Sequence, residues 1–200
     1  MLAVLLMAAL LSLSGCTSSG PTNDGFAWRD ADAGLSRYTR IILEPVEIDR
    51  RTGASFGGAS DRELQHLTEF TRHEFVFFAQ PYVATFPGPG VARLKLTLTG
   101  LENNVAILAT LSRAAPTGLA MNAPDGGVQG PGAFTGSATL SAQLFDSETG
   151  APLGISMQKY HPRALDMGAT FNSQAAHEAA ITEAAKAFCK WLDDLRVGVR

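Results

Sequence analysis

Residues 92–99 read Ala-Arg-Leu-Lys-Leu-Thr-Leu-Thr. Every second side chain is apolar, and those between are charged or hydroxylic. That period of two belongs to a β-strand with one face buried and the other wet. The pattern recurs downstream, where Phe134, Ala138, Leu140, Ala142 and Leu144 alternate with Thr135, Ser137, Thr139, Ser141 and Gln143. A sheet patterned this way needs a second layer on its apolar face only.

The rest of the chain supplies that layer. Tyr38 to Ile48 is rich in β-branched residues and predicts a strand, with Pro45 marking an edge, a bulge or the strand end. Ser60-Asp61-Arg62-Glu63 is a capping box. Behind it Leu64, Leu67, Thr71, Phe75 and Phe78 recur at helical spacing, and Gln80-Pro81 should end that helix. Tyr82 to Phe86 predicts a short strand, which Pro87-Gly88-Pro89-Gly90 turns into the strand at 92–99. Asp146 to Gly150 is a turn, and Leu153, Ile155 and Met157 begin the return strand. A last helix starts at Ser173 and carries Ile181, Ala184, Phe188, Trp191, Leu192 and Leu195 on one stripe. The expected fold is an α+β two-layer sandwich in the order β-α-β-β-(insert)-β-β-α. Its mixed sheet has four to five strands and carries two helices on one face. The first crossover should be parallel and right-handed, and the later strand pairs antiparallel hairpins.

The insert runs from about 103 to 132. Its stretch VAILATLSRAAPTGLAM has Arg113 as the lone charge and a break at Pro116. Two readings stand: it covers the open end of the sheet, or it touches a partner or a membrane.

The chain has 200 residues, 46% apolar and 18% charged, which suits one globular domain. The net charge of −3 and the lack of a basic run argue against nucleic acid as a partner.

The first sixteen residues carry a different message. An apolar run from Leu2 to Leu13 is too short to span a bilayer and has the length of a secretory signal's apolar region. Leu13-Ser14-Gly15-Cys16 then resembles the bacterial lipobox. The resemblance implies diacylglyceryl attachment to the Cys16 sulfur, removal of residues 1–15, and acylation of the new amine. Thr17 stands where an aspartate would favour inner-membrane retention, so the sorting pattern implies the outer membrane. Residues 17–24 are polar and broken by Gly and Pro, and read as a tether reaching at most about 30 Å. No Lys or Arg precedes Cys16, so either the initiator amine supplies the signal's positive charge or, the favoured expectation, the translation start lies upstream of Met1. With Cys16 lipidated, Cys189 remains alone, which rules out an internal disulfide and a cysteine-rich metal site. Among Phe188, Trp191 and Leu192, Cys189 reads as a small packed side chain.

Three constellations invite a chemical reading. Gly53-Ala54-Ser55-Phe56-Gly57 is a literal G-x-S-x-G, and Asp146, His161, Asp166 and His177 follow it. The context is wrong for a nucleophile elbow, because Asp49-Arg50-Arg51-Thr52 separates the serine from the strand and the helix starts only after Ser60. The same loop lacks the Gly-Lys-Ser/Thr ending of a phosphate loop. His66, Glu69 and His73 share a helix face, but the histidines stand about 10.5 Å apart along the axis and no third ligand is evident. No catalytic residue, metal or cofactor is therefore expected. Phe70 and Phe77 fall on that same face, opposite the core stripe, and either pack under the N-terminal segment or dock a partner. With Leu108, Leu111, Leu119 and Met121 of the insert they form the expected partner surface.

The lipobox, Gly25-Phe26, LSRYTRIILEPVEI, LQHLTEFTRHEF, PGPGVARLKLTLTGL, GSATLSAQLFDSETGAPL and the C-terminal amphipathic helix together resemble a known group. It is the bacterial lipoproteins of the domain-of-unknown-function family numbered thirty-three thirteen. That family has no established activity, so the resemblance transfers no catalytic residue. The first expectation is an outer-membrane-anchored, periplasm-facing accessory protein with no enzymatic role, whose partner would be an envelope assembly or transport complex. A small periplasmic hydrolase using Ser55, or a passive lipid or small-molecule binder, are the alternatives.

Overall fold

The structure is a computed structural model that describes residues 28, 34–51, 54–103, 136–163, 169 and 172–197. Five strands form one mixed sheet: β1 (Arg40–Leu43), β2 (Glu47–Ile48), β3 (Val91–Glu102), β4 (Ser137–Asp146) and β5 (Pro152–Tyr160). Two helices, α1 (Asp61–Phe78) and α2 (Ser173–Val197), complete the second layer. The expected α+β sandwich is the fold observed.

The long strand β3 organises the sheet. It pairs antiparallel with β4, which pairs antiparallel with β5. On its other side β1 and β2 lie in line, both parallel to β3. Pro45 separates them. Leu43 faces Leu94 and Glu47 faces Thr97, so four residue steps are matched by three on β3. A proline has no N–H to offer a ladder, and the surplus residue bulges out beside it.

Tyr82 to Phe86 differs from expectation. Gln80–Tyr82 is a 3₁₀ turn, and Val83 makes a single parallel bridge to Ile41 instead of a hairpin with β3. The reason lies in where its polar groups go. The Tyr82 hydroxyl donates to Asp193 of α2, and Ala84 N–H donates to the Ile41 carbonyl at 2.7 Å. The segment is thereby held on the outer edge of β1.

Alternation sorts the two faces as the pattern requires. Leu94, Leu96, Leu98, Leu140, Ala142 and Leu144 are sealed beneath the helices. On the wet face Arg93 pairs with Glu44 at 3.1 Å and Lys95 with Glu47 at 2.9 Å. Helix α1 begins where Ser60 Oγ accepts the Glu63 N–H, and it buries Leu64, Leu67, Thr71 and Phe75. Helix α2 is capped by Asn172, whose Oδ1 accepts the Ala175 N–H at 2.8 Å. Its buried Ala180, Ala184, Ile181, Phe188 and Leu192 meet the sheet.

The helices run parallel to each other. Contacts step along both in the same sense: His66 with Glu178, Glu74 with Thr182, Phe75 with Phe188, and the Phe78 carbonyl with Cys189. Both N-termini therefore lie at the end of the sheet where β3 stops and β4 starts. Both C-termini lie at the end marked by the β4–β5 turn. Asp146 shapes that turn by accepting N–H groups from Glu148 and Thr149, and Gly150 closes it at φ +72°.

Candidate functional site

Of the predicted site residues the structure describes two, both on α1. Cys16, Leu108, Leu111, Leu119 and Met121 lie outside the described residues. Phe70 and Phe77 lie on the outer side of α1, but they differ. Phe70 is half-buried and packs on the core, whereas Phe77 is 63% exposed. Each phenylalanine has a histidine beside it, with His66 centred 6.2 Å from Phe70 and His73 stacked 6.3 Å from Phe77.

Those histidines do not converge on one point. His66 Nε2 lies 2.8 Å from Glu178, His73 Nδ1 lies 3.5 Å from Glu74, and Glu69 accepts from Gln65. Among the described residues no cluster of three such side chains could hold a metal ion.

Ser55 is placed by its backbone. It bridges Gly100 in parallel, and its carbonyl accepts the Leu101 N–H at 2.8 Å. The glycine loop thus continues the line of β1 and β2 along the edge of β3. Gly57 turns the chain at φ +59°, and its carbonyl accepts from Asn103 Nδ2 at 2.7 Å. That positive φ favours glycine, and a Cβ there would come 2.7 Å from Asn103 Oδ1 and push that side chain aside. Ser55 is exposed, and no described histidine hydrogen-bonds its hydroxyl. A shallow depression of about 230 Å³ opens nearby, lined by Asp49, Arg51, Phe56 and Leu64. Arg51 closes on Asp49 at 2.6 Å and holds that carboxyl down at about 2.

The most organised polar group stands where the long connection leaves the sheet. Glu102 ends β3, Ser137 begins β4 and Lys159 lies on β5. The Glu102 carboxylate accepts from Lys159 at 2.6 Å and Ser137 at 3.0 Å, and the lysine chiefly holds its pKa low. Its carbonyl accepts from His177 Nε2 at 3.0 Å. A carbonyl only accepts, so Nε2 carries the proton and Nδ1 of the neutral ring is bare. Nδ1 faces Glu63 Oε1 of α1 at 3.8 Å and has no hydrogen-bond partner among the described residues. His177 is fully buried, and that burial pushes its pKa below the ordinary histidine value against the pull of Glu63 and Glu178. His161 Nδ1 sits 3.1 Å from the Gly136 carbonyl, and burial depresses it likewise. The arrangement ties the two feet of the 104–135 connection to each other through Glu102 and Ser137, and fixes the Glu102 foot to α2 through His177. Sequence reading did not assemble it, because its members come from five separate elements.

Cys189 is half-buried, and its thiol donates to the Phe78 carbonyl at 3.1 Å. Burial and Asp193 keep it protonated, in line with a packing role.

A family model described as protein of unknown function, DUF3313, matches residues 11–188. The chain belongs to that family. No curated protein matches this DUF3313 chain. Among solved structures it is similar to two PelC dodecamers from Paraburkholderia phytofirmans. The first, a single-residue variant, is 13% identical at a TM-score of 0.38, over 80% of this chain and 93% of that one. The second is 8% identical at 0.37, over 80% and 96%. A protein described as a putative lipoprotein from Caulobacter crescentus CB15 is 15% identical at 0.35, over 83% and 92%.

Proposed function

We propose that this DUF3313 protein is a lipid-anchored component of the bacterial envelope. It is held to the outer membrane through Cys16, faces the periplasm, and serves an assembly or transport complex as a non-enzymatic accessory or binding subunit. The observation that carries the reading is Leu13-Ser14-Gly15-Cys16 directly behind an apolar run of signal-peptide length. Each acyl CH₂ buried in a bilayer contributes about 0.8 kcal/mol, so two or three chains hold a protein durably. The accessory role is supported by the way the polar side chains are used. The described histidines pair with neighbouring carboxylates or backbone carbonyls, and Ser55 stands apart from them.

Mass analysis of the N-terminal peptide from membranes tests the anchor. The expected result is a cysteine start at Cys16 carrying acyl chains, with Cys16→Ala protein left as uncleaved precursor. An unmodified mature N-terminus, or an unchanged distribution of Cys16→Ala, overturns it. Crosslinking in intact cells tests the accessory role, and recovery of monomer alone counts against it.

A further inference from the structure

Of the five large apolar side chains that the described residues expose, Ile155 and Met157 lie on β5 and the other three gather at one end of the molecule. Phe77, 63% exposed, lies in the last turn of α1, and Val197, 73% exposed, is the last residue of α2. The parallel helices put both at the β4–β5 turn end. Phe86, 77% exposed, stands two residues before Gly88, whose N–H donates to Ser147 in that same turn. Soluble surfaces seldom gather large apolar groups without a partner.

The path of the chain indicates which partner. Trp28 lies 5.1 Å, ring to ring, from Trp191, in the last two turns of α2. Cys16 is twelve residues upstream. Twelve residues reach at most about 42 Å. From Trp191 back to Ser173, at the opposite end, α2 alone runs about 27 Å. The chain to the anchored cysteine joins the described fold at the turn end, which favours that end as the one facing the bilayer. We propose that this end rests on the lipid surface, with Phe77, Phe86 and Val197 entering the headgroup zone. The docking rests on the lipid-anchor reading above. It leaves the opposite end, with the feet of the 104–135 connection, pointing away from the bilayer.

The test uses the full mature chain in phosphatidylethanolamine–phosphatidylglycerol vesicles containing brominated lipid. Phe77→Trp and Phe86→Trp place a reporter at the docking end, and Gln65→Trp places one on the exposed second turn of α1 at the other end. In the docked orientation the emission added by Phe77→Trp and Phe86→Trp falls by about half or more, while that of Gln65→Trp is unchanged. Equal quenching at all three sites, or none at 77 and 86, overturns the docking. Reporters at 77 and 86 that are unquenched yet shielded from aqueous iodide would mean that a protein partner or a second copy covers them, which overturns it too. The mass of the same preparation separates the two levels. An acylated but unquenched protein removes the docking alone, and an unacylated one removes the anchor reading with it.

Discussion

His177 shows how one residue couples burial to pH. Folded, it sits neutral between the Glu102 carbonyl and the Glu63 carboxylate, with its pKa held below 6.5 chiefly by burial. Unfolded, it regains the ordinary value and binds a proton more readily than the native state does. Stability should therefore be complete above the ordinary histidine range and fall as pH drops through it. Urea unfolding of the wild-type chain at pH 7.5 and 5.5 should show a lower midpoint at the acid value. In His177→Gln, whose amide can still donate to Glu102, that loss should shrink without vanishing, because burial pushes His161 the same way. An identical loss in the variant would remove His177 as its source. The sequence shows a histidine near the start of a helix and nothing of this environment. Glu63 and Glu102 lie 114 and 75 residues away along the chain, so no local signal could place them beside it.

At the scale of elements, the helix layer divides α1 into an inner and an outer side with different energetics. Phe75 is 1% exposed, with its ring centre 5.5 Å from that of Phe188. Phe75→Ala should cost about 3–5 kcal/mol, because the parallel helices cannot collapse fully onto the cavity. Phe77→Ala should stay within about 0.5 kcal/mol. Denaturant unfolding of the two variants checks the contrast, and comparable losses would refute it. That division was legible in the periodicity, as were the capped start of α1, the alternating β3 and β4, and the turn at Asp146. Two local features were not. Tyr82 to Phe86 has strand-like composition, but Tyr82 is committed to Asp193, Val83 N–H closes the 3₁₀ turn on Gln80, and Ala84 N–H serves the β1 edge. For residues 38–48 the sequence marked Pro45 as an edge, a bulge or the strand end, but which of these it is depends on what β3 presents opposite it. In both cases the decision belongs to a neighbour distant in sequence.

For the whole molecule, the proposed anchor would set where the fold works. In the lipoprotein reading residue 17 follows the acylated cysteine, and an aspartate there favours retention in the inner membrane. Thr17→Asp should move the protein from the outer- to the inner-membrane fraction on a density gradient while leaving its acylation intact. An unmoved protein would mean that sorting is read elsewhere. The lipobox can be read from sequence alone because it is contiguous, and it lies outside the described residues. The surfaces of the folded domain were only half legible: the spacing put Phe70 and Phe77 together on α1, and tertiary packing then covered one and left the other exposed.

The parallel course of α1 and α2 also governs how the chain assembles. Their hydrogen-bonded pairs, Glu74 with Thr182 and His66 with Glu178, are separated by 108 and 112 residues. Two helices so far apart cannot zip up as a local hairpin, and closing loops of that length carries an entropic cost before any contact rewards it. The antiparallel β4–β5 ribbon, joined by a tight turn, is the natural early structure. Until Ser173–Val197 has been made, the apolar faces of β4 and β5 have no lid. The helix that closes the core is made only after every strand it covers.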